Sequence, residues 1–140
     1  MLTAPALLAT ALFATTVLAP AAASAPAESQ PELAAASDWL ALVDAGRWDE
    51  SWRGAGALFR AQMPQSMWST AIAPVRIPLG KALSRTPLRT TRTRSLPGAP
   101  DGDYIVIEFQ TRFFHKPEAV ETLVLSRESG GLKVDGYFIR

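Results

Sequence analysis

Apolar residues recur at spacings of three and four as far as Leu79, and at every second position in much of the chain beyond Lys81, so two periodicities follow one another along the chain. A helical half followed by a strand half predicts an α+β fold, with helices covering one face of a curved antiparallel sheet. The helical half carries three stripes. Leu33, Ala36, Leu40 and Val43, widened by Trp39, form the first, and Gly46 is placed to end it. Trp48, Trp52, Ala55 and Phe59 form the second, with Asp49 and Glu50 in the first turn, where the helix dipole favours negative charge. Gly54 and Gly56 each weaken that helix by up to about 1 kcal/mol against alanine, so either it is short or the glycines admit another backbone. Trp68, Ile72, Val75 and Leu79 form the third, after Pro64 and Ser66. Pro74 predicts a kink between Thr70 and Ala73, and Pro78 with Gly80 stops the helix.

Four strands follow. The first, Ala82 to Ser95, is interrupted by Pro87 and suits a sheet edge or a bulge. The cluster Leu96 to Gly102 is a loop. Tyr104 to Phe114 is the most regular strand, with Ile105, Ile107, Phe109, Thr111 and Phe113 predicted to face the core. Val120, Thr122, Val124 and Ser126 then alternate with Glu121, Leu123 and Leu125, so both faces of the third strand are partly apolar. Gly130 and Gly131 make a hairpin turn into the last strand, Leu132 to Ile139. The sequence contains no internal repeat.

No charged side chain occurs in the first 27 residues, and Ala6 to Leu18 is an apolar run flanked by Pro5 and Pro20. Small residues after it offer sites for a signal peptidase, with cleavage expected after Ala23 or Ala25. The run is shorter than the roughly 20 residues that span hydrocarbon, so a signal peptide over residues 1–25 is expected rather than an anchor. Its first residues lack the usual Lys or Arg. Residues 26–31 read as a linker and 32–140 as a single domain, expected to be periplasmic or secreted. With no cysteine in the chain, a lipid anchor, disulfides, thiolate zinc sites and cysteine nucleophiles are all excluded. An exported domain of this size must then stand on its apolar core, which buries about two thirds of the unfolded surface.

The single histidine excludes a multi-histidine metal centre, and a net charge of +1 is too balanced for a strongly cationic nucleic-acid or membrane binder. The charges are nevertheless segregated. Between Ser51 and Pro100 lie eight basic side chains (Arg53, Arg60, Arg76, Lys81, Arg85, Arg89, Arg92 and Arg94) and no acidic one. Two readings stay open: a surface of arginine forks that meets anions, or a solvated helix end and sheet edge guarded by charge. Nucleic acid fits neither, because Arg76 to Arg94 contains no aromatic side chain for stacking.

Tryptophans on helical stripes are ordinarily core residues. A sheet curling over them creates room for a pocket lined by Trp52, Trp68, Phe109 and Phe113, with Arg76 as the basic group for an anionic head. His115 beside Lys116 and Pro117 reads as a turn, and Asp101 and Asp103 around Gly102 as a turn and not a calcium loop. Glu108, sharing a face with Gln110 and Arg112, reads as solvent-facing. No nucleophile elbow or phosphate loop is present, and the residues call for no cofactor and no metal.

The segments Trp39 to Gly46, Ser51-Trp52, Leu58-Phe59-Arg60, Trp68, Val75-Arg76, Pro78-Leu79-Gly80, Ser84-Arg85, Leu96 to Gly102 and Gly136 to Arg140 together resemble domain-of-unknown-function family 4019. The resemblance implies small exported bacterial proteins of the envelope with a cystatin-like or nuclear-transport-factor-like cone, and implies no activity. Pro74 departs from the family pattern inside the third helix.

Two functions are compatible with the sequence. The first is an exported, non-enzymatic binding or interaction domain that holds a small apolar or anionic ligand or docks an envelope protein. The alternative is a small cone-type hydrolase or isomerase, which requires Glu108, Asp135 or His115 to point inward. A homodimer through the outer sheet face would use Tyr104, Val106 and Val124.

Overall fold

A computed structural model describes residues 30–140; the expected signal peptide and all but the end of the expected linker lie outside them. Helix α1, Gln30–Asp44, buries Glu32, Ala36, Trp39, Leu40 and Val43. It ends in a Schellman motif. Gly46 adopts a φ of 71°, its N–H reaches Val43 O, and Arg47 N–H reaches Leu42 O.

The second stripe is two short helices, α2 (Trp48–Arg53) and α3 (Ala57–Gln62), so the described residues hold four helices where three stripes predict three. Both consequences of the glycines are realised. The helix stops, and Gly56 N–H bonds to Val134 O at 2.7 Å on the last strand. A Cβ at Gly56 would lie 2.0 Å from an Asp135 carboxylate oxygen, so a larger residue here would force that carboxyl aside.

Helix α4, Gln65–Leu79, continues through Pro74 and Pro78 and stops at Gly80, whose φ is 74°. Its buried row is Trp68, Ile72 and Arg76, whereas Val75 is 47% exposed. The expected row continued through Val75. Arg76 also lies four residues beyond Ile72, and the charged groups opposite it decide which residue turns inward.

The four strands form one antiparallel meander in the order β1-β2-β3-β4: Ala82–Thr93, Tyr104–Phe113, Ala119–Glu128 and Gly131–Ile139. Strand β1 is an edge with irregular register at Ala82/Ser84 and at Pro87/Arg89, as its proline predicts. Ile105, Ile107, Phe109, Thr111 and Phe113 all face inward on β2 and are at most 5% exposed. A bulge at Val124/Leu125 against β4 keeps Val134 and Tyr137 on the inner face. It leaves Asp135 and Gly136 on the outer side with Val124 and Ser126.

The core joins α1, α4 and Phe59 of α3 to the inner face of the sheet. Trp39, Phe59 and Trp68 pack on one another with ring centroids 4.9 to 6.3 Å apart, and Tyr137 meets Trp39 edge-on at 5.3 Å. Each buried indole N–H is satisfied. Trp39 donates to Ser51 O at 2.8 Å and Trp68 to Ser51 Oγ at 2.9 Å.

Candidate functional site

Beside this aromatic packing, the cone holds charge. Glu121 of β3 is fully buried in phase with Leu123 and Leu125. Its Oε1 accepts from Arg85 Nε at 2.7 Å and from Thr111 Oγ1 at 2.5 Å, and its Oε2 accepts from the Tyr137 hydroxyl. Arg85 bridges onward to Asp44 at the end of α1, its two terminal nitrogens reaching the two carboxylate oxygens at 2.9 and 3.0 Å. Arg76 Nη2 donates to the same Asp44 Oδ1 at 2.7 Å, and its guanidinium lies 4.8 Å over the Phe113 ring. Two arginines and two carboxylates, drawn from α1, α4, β1 and β3, thus form a neutral cluster with β2 and β4 supplying hydroxyls.

The protonation states follow from those contacts. Burial acts to raise the Asp44 carboxyl, but hydrogen bonds and charge from Arg85 and Arg76 outweigh it and hold Asp44 below the usual carboxylate range. Burial acts to lower Arg85, and its bonds to Asp44 and Glu121 overcome this and raise it. Burial first, then the Glu121 charge, pushes the Tyr137 phenol up. The hydroxyl is therefore a neutral donor and the cluster a locked set of ion pairs. Glu121 receives an arginine, a threonine and a tyrosine, so a substrate would reach it only by displacing one of them.

The five residues expected to line a ligand pocket lie in or against the core. Trp68, Phe109 and Phe113 are each at most 5% exposed, which places their side chains inside the packing and not on a wall open to solvent. Trp52 is half-buried, donates to Met63 O at 2.6 Å and carries Arg60 over its ring. The structure brings Arg76 together with Phe113, and Asp44 supplies the anion. Of the three groups required by the enzymatic alternative, none points into the cone. Glu108 sits on the outer face between Arg89 and Arg140, His115 is an exposed turn residue against Phe114, and Asp135 occupies the β4 bulge. The hydrogen bond from Arg89, opposed by some burial, lowers the Glu108 carboxyl.

The arginine-rich stretch also finds its counterions within the chain. Arg76, Arg85, Arg89, Arg92 and Arg94 pair with Asp44, Glu121, Glu108, Glu32 and Asp103, all carboxylates from outside the basic block. The charge segregation in sequence is complementarity between elements in space. The sequence marks Arg85 as one of eight basic side chains but does not point to Asp44, Glu121 or Tyr137 as its partners. The available signal was one carboxylate in register with two leucines on β3.

Among the described residues, no group of three or more acidic or histidine side chains is placed to hold a metal ion. Two surface depressions bear on the site, the first at the edge of the ion cluster itself. One of about 370 Å³ opens over Asp44, Arg76 and Lys81 at the end of the cone. Another, of about 330 Å³, lies between α3, the 96–102 loop and the outer sheet face.

Residues 35–137 match the family described as Protein of unknown function (DUF4019). The chain belongs to that family. The matched span runs from within α1 to within β4, so the ion cluster lies inside the DUF4019 unit. A search of curated proteins finds no match to the chain.

Proposed function

We propose that the protein is an exported, non-enzymatic binding domain of the bacterial envelope, periplasmic or secreted after removal of residues 1–25. The observation that carries the non-enzymatic part is the occupancy of Glu121, the buried carboxylate best placed for acid or base work. Its oxygens accept from Arg85, Thr111 and Tyr137, partners that hold a charge in place. General acid or base catalysis needs a group whose proton can move to a substrate within hydrogen-bond reach. The apolar N-terminal run and its small-residue cleavage sites support export. Among the described residues, no helix is long and apolar enough to cross a membrane. Binding on such a scaffold falls to the outside of the cone.

Mass spectrometry of the protein from a periplasmic extract tests both parts. Under denaturing conditions the expected mass is that of a chain beginning at Ser24 or Pro26. Under native conditions a larger mass is expected, the excess being a retained ligand or partner. A chain still beginning at Met1 in every fraction overturns export. A bare polypeptide mass under native conditions argues against a retained ligand.

A further inference from the structure

The loop 96–102 does not stand out into solvent. Tyr104 Oη donates to Pro100 O at 2.6 Å, and Gln62 Nε2 of α3 donates to Gly98 O at 3.1 Å. Anchored at both places, the loop straps across the outer sheet face from β2 to α3. Beneath it the cleft of about 330 Å³ is walled by Leu58, Leu96, Pro97, Tyr104, Val124 and Phe138. Phe138 is 62% exposed, which leaves an apolar lip at the entrance. Its volume lies in the range of small-molecule sites. Three of the segments that carry the family resemblance, around Leu58, Leu96 and Phe138, converge here although they are far apart in sequence.

One charged side chain borders this apolar space. Asp135, turned outward by the β4 bulge, receives the Ser126 hydroxyl on Oδ2, while its buried Oδ1 closes no full hydrogen bond and the carboxyl faces the Leu58 and Phe59 N–H groups at the start of α3. A depression of about 240 Å³ on the other side of the strap shares Leu58, Tyr104 and Asp135 with the cleft and adds Glu128 and Asp103, with Arg127 opposite. Asp103 is paired with Arg94, and Glu128 accepts from Ala57 N–H at 2.7 Å. Among the described residues, no cation pairs with Asp135. Burial raises its carboxyl, helped by the Glu128 charge and opposed by the Ser126 hydroxyl and the Phe59 and Leu58 N–H groups.

We propose that the cleft under the 96–102 strap is a ligand site for a small amphipathic amine, its apolar part beneath the strap and its ammonium toward Asp135. The assignment rests on the binding reading above and names its site and ligand class. A carboxylate at the cleft wall with no cation paired to it favours a cationic donor over an anion of the same length. The apolar walls favour a hydrocarbon chain over a compact polar amine.

The test uses the ¹⁵N-labelled protein from the same extract, titrated with octylamine and with octanoate below their micelle concentrations. Octylamine is expected to shift the amide signals of Leu58, Leu96, Ala99, Val124 and Gly136, with an affinity at least tenfold above that of octanoate. Asp135→Asn, whose spectrum reports its own folding, is expected to erase that preference while apolar binding persists. Ala99→Trp, which fills the cleft from the strap, is expected to abolish both. Equal binding of the two probes in the cleft overturns the amine assignment and leaves the binding domain standing. No shift at the cleft with either probe overturns the site, whereas the binding reading is decided by the native mass.

Discussion

The two ends of the cone interior are built on opposite principles. At one end Trp39, Phe59 and Trp68 fill space, and their attraction is spread over many weak contacts that no single atom controls. At the other, Asp44, Arg76, Arg85 and Glu121 hold α1, α4, β1 and β3 through a few directed bonds, and the buried Arg76 and Glu121 carry a large desolvation cost that only their partners offset. The aromatic end should therefore yield gradually to substitution and the ionic end abruptly.

The largest effect is expected at Arg85, which binds both Asp44 at the rim and the buried Glu121. Arg85→Ala should lower unfolding free energy by about 3–5 kcal/mol in urea denaturation, because Glu121 is left charged in the core. A second variant sharpens the reading: Arg85→Met with Glu121→Leu should recover most of that loss, since well-packed apolar groups often replace a buried pair at little cost. A loss below about 1 kcal/mol for Arg85→Ala would remove the contrast between the two ends.

A smaller effect is expected at the aromatic end. Trp68→Phe removes the indole donor to Ser51 Oγ and part of the ring volume while keeping edge contacts with Phe59. It should cost about 1–2 kcal/mol by the same measurement. A cost equal to that of Arg85→Ala would show the ring stack to be as brittle as the ion cluster.

The smallest effect concerns pH and separates two carboxyls of opposite sign. Asp44 sits below its ordinary value in the folded state, so its contribution is full above the ordinary carboxylate range and is lost as pH falls through the lowered value. Asp135 sits above its ordinary value, so its charged form opposes folding at neutral pH, and that opposition lifts as pH falls through the raised value. Asp135→Asn should therefore be slightly more stable than the parent at neutral pH, with the advantage shrinking on acidification. Melting temperatures across the acidic range check it, and an advantage that grows on acidification would contradict the assignment.

Much of this fold was legible in the residues because burial imposes a local period. Every second residue of strand β2 from Ile105 to Phe113 is buried, and Pro87 marks β1 as an irregular edge. The ion cluster was not legible for the opposite reason. Its bonds join residues 32, 36 and 41 positions apart, and periodicity reports which face a residue takes, never what waits across the core. Glu121 looked like one polar residue on a mixed face until Arg85 and Tyr137 were brought to it. Arg76 displaced Val75 from the expected row because a cation was required opposite Asp44. The expected site residues had the opposite fate. Large rings at helical spacing signal burial, and rings that fill a core leave little wall for a ligand.

Strand β1 has an almost wholly exposed face, and arginines fasten it to the rest: Arg85 and Arg92 on the helix side, Arg89 on the other. Two of those ties, at Arg89 and Arg92, have their arginine more than half open to water, where dissolved ions weaken such attraction. The margin of the sheet is thus fitted with fasteners that respond to salinity.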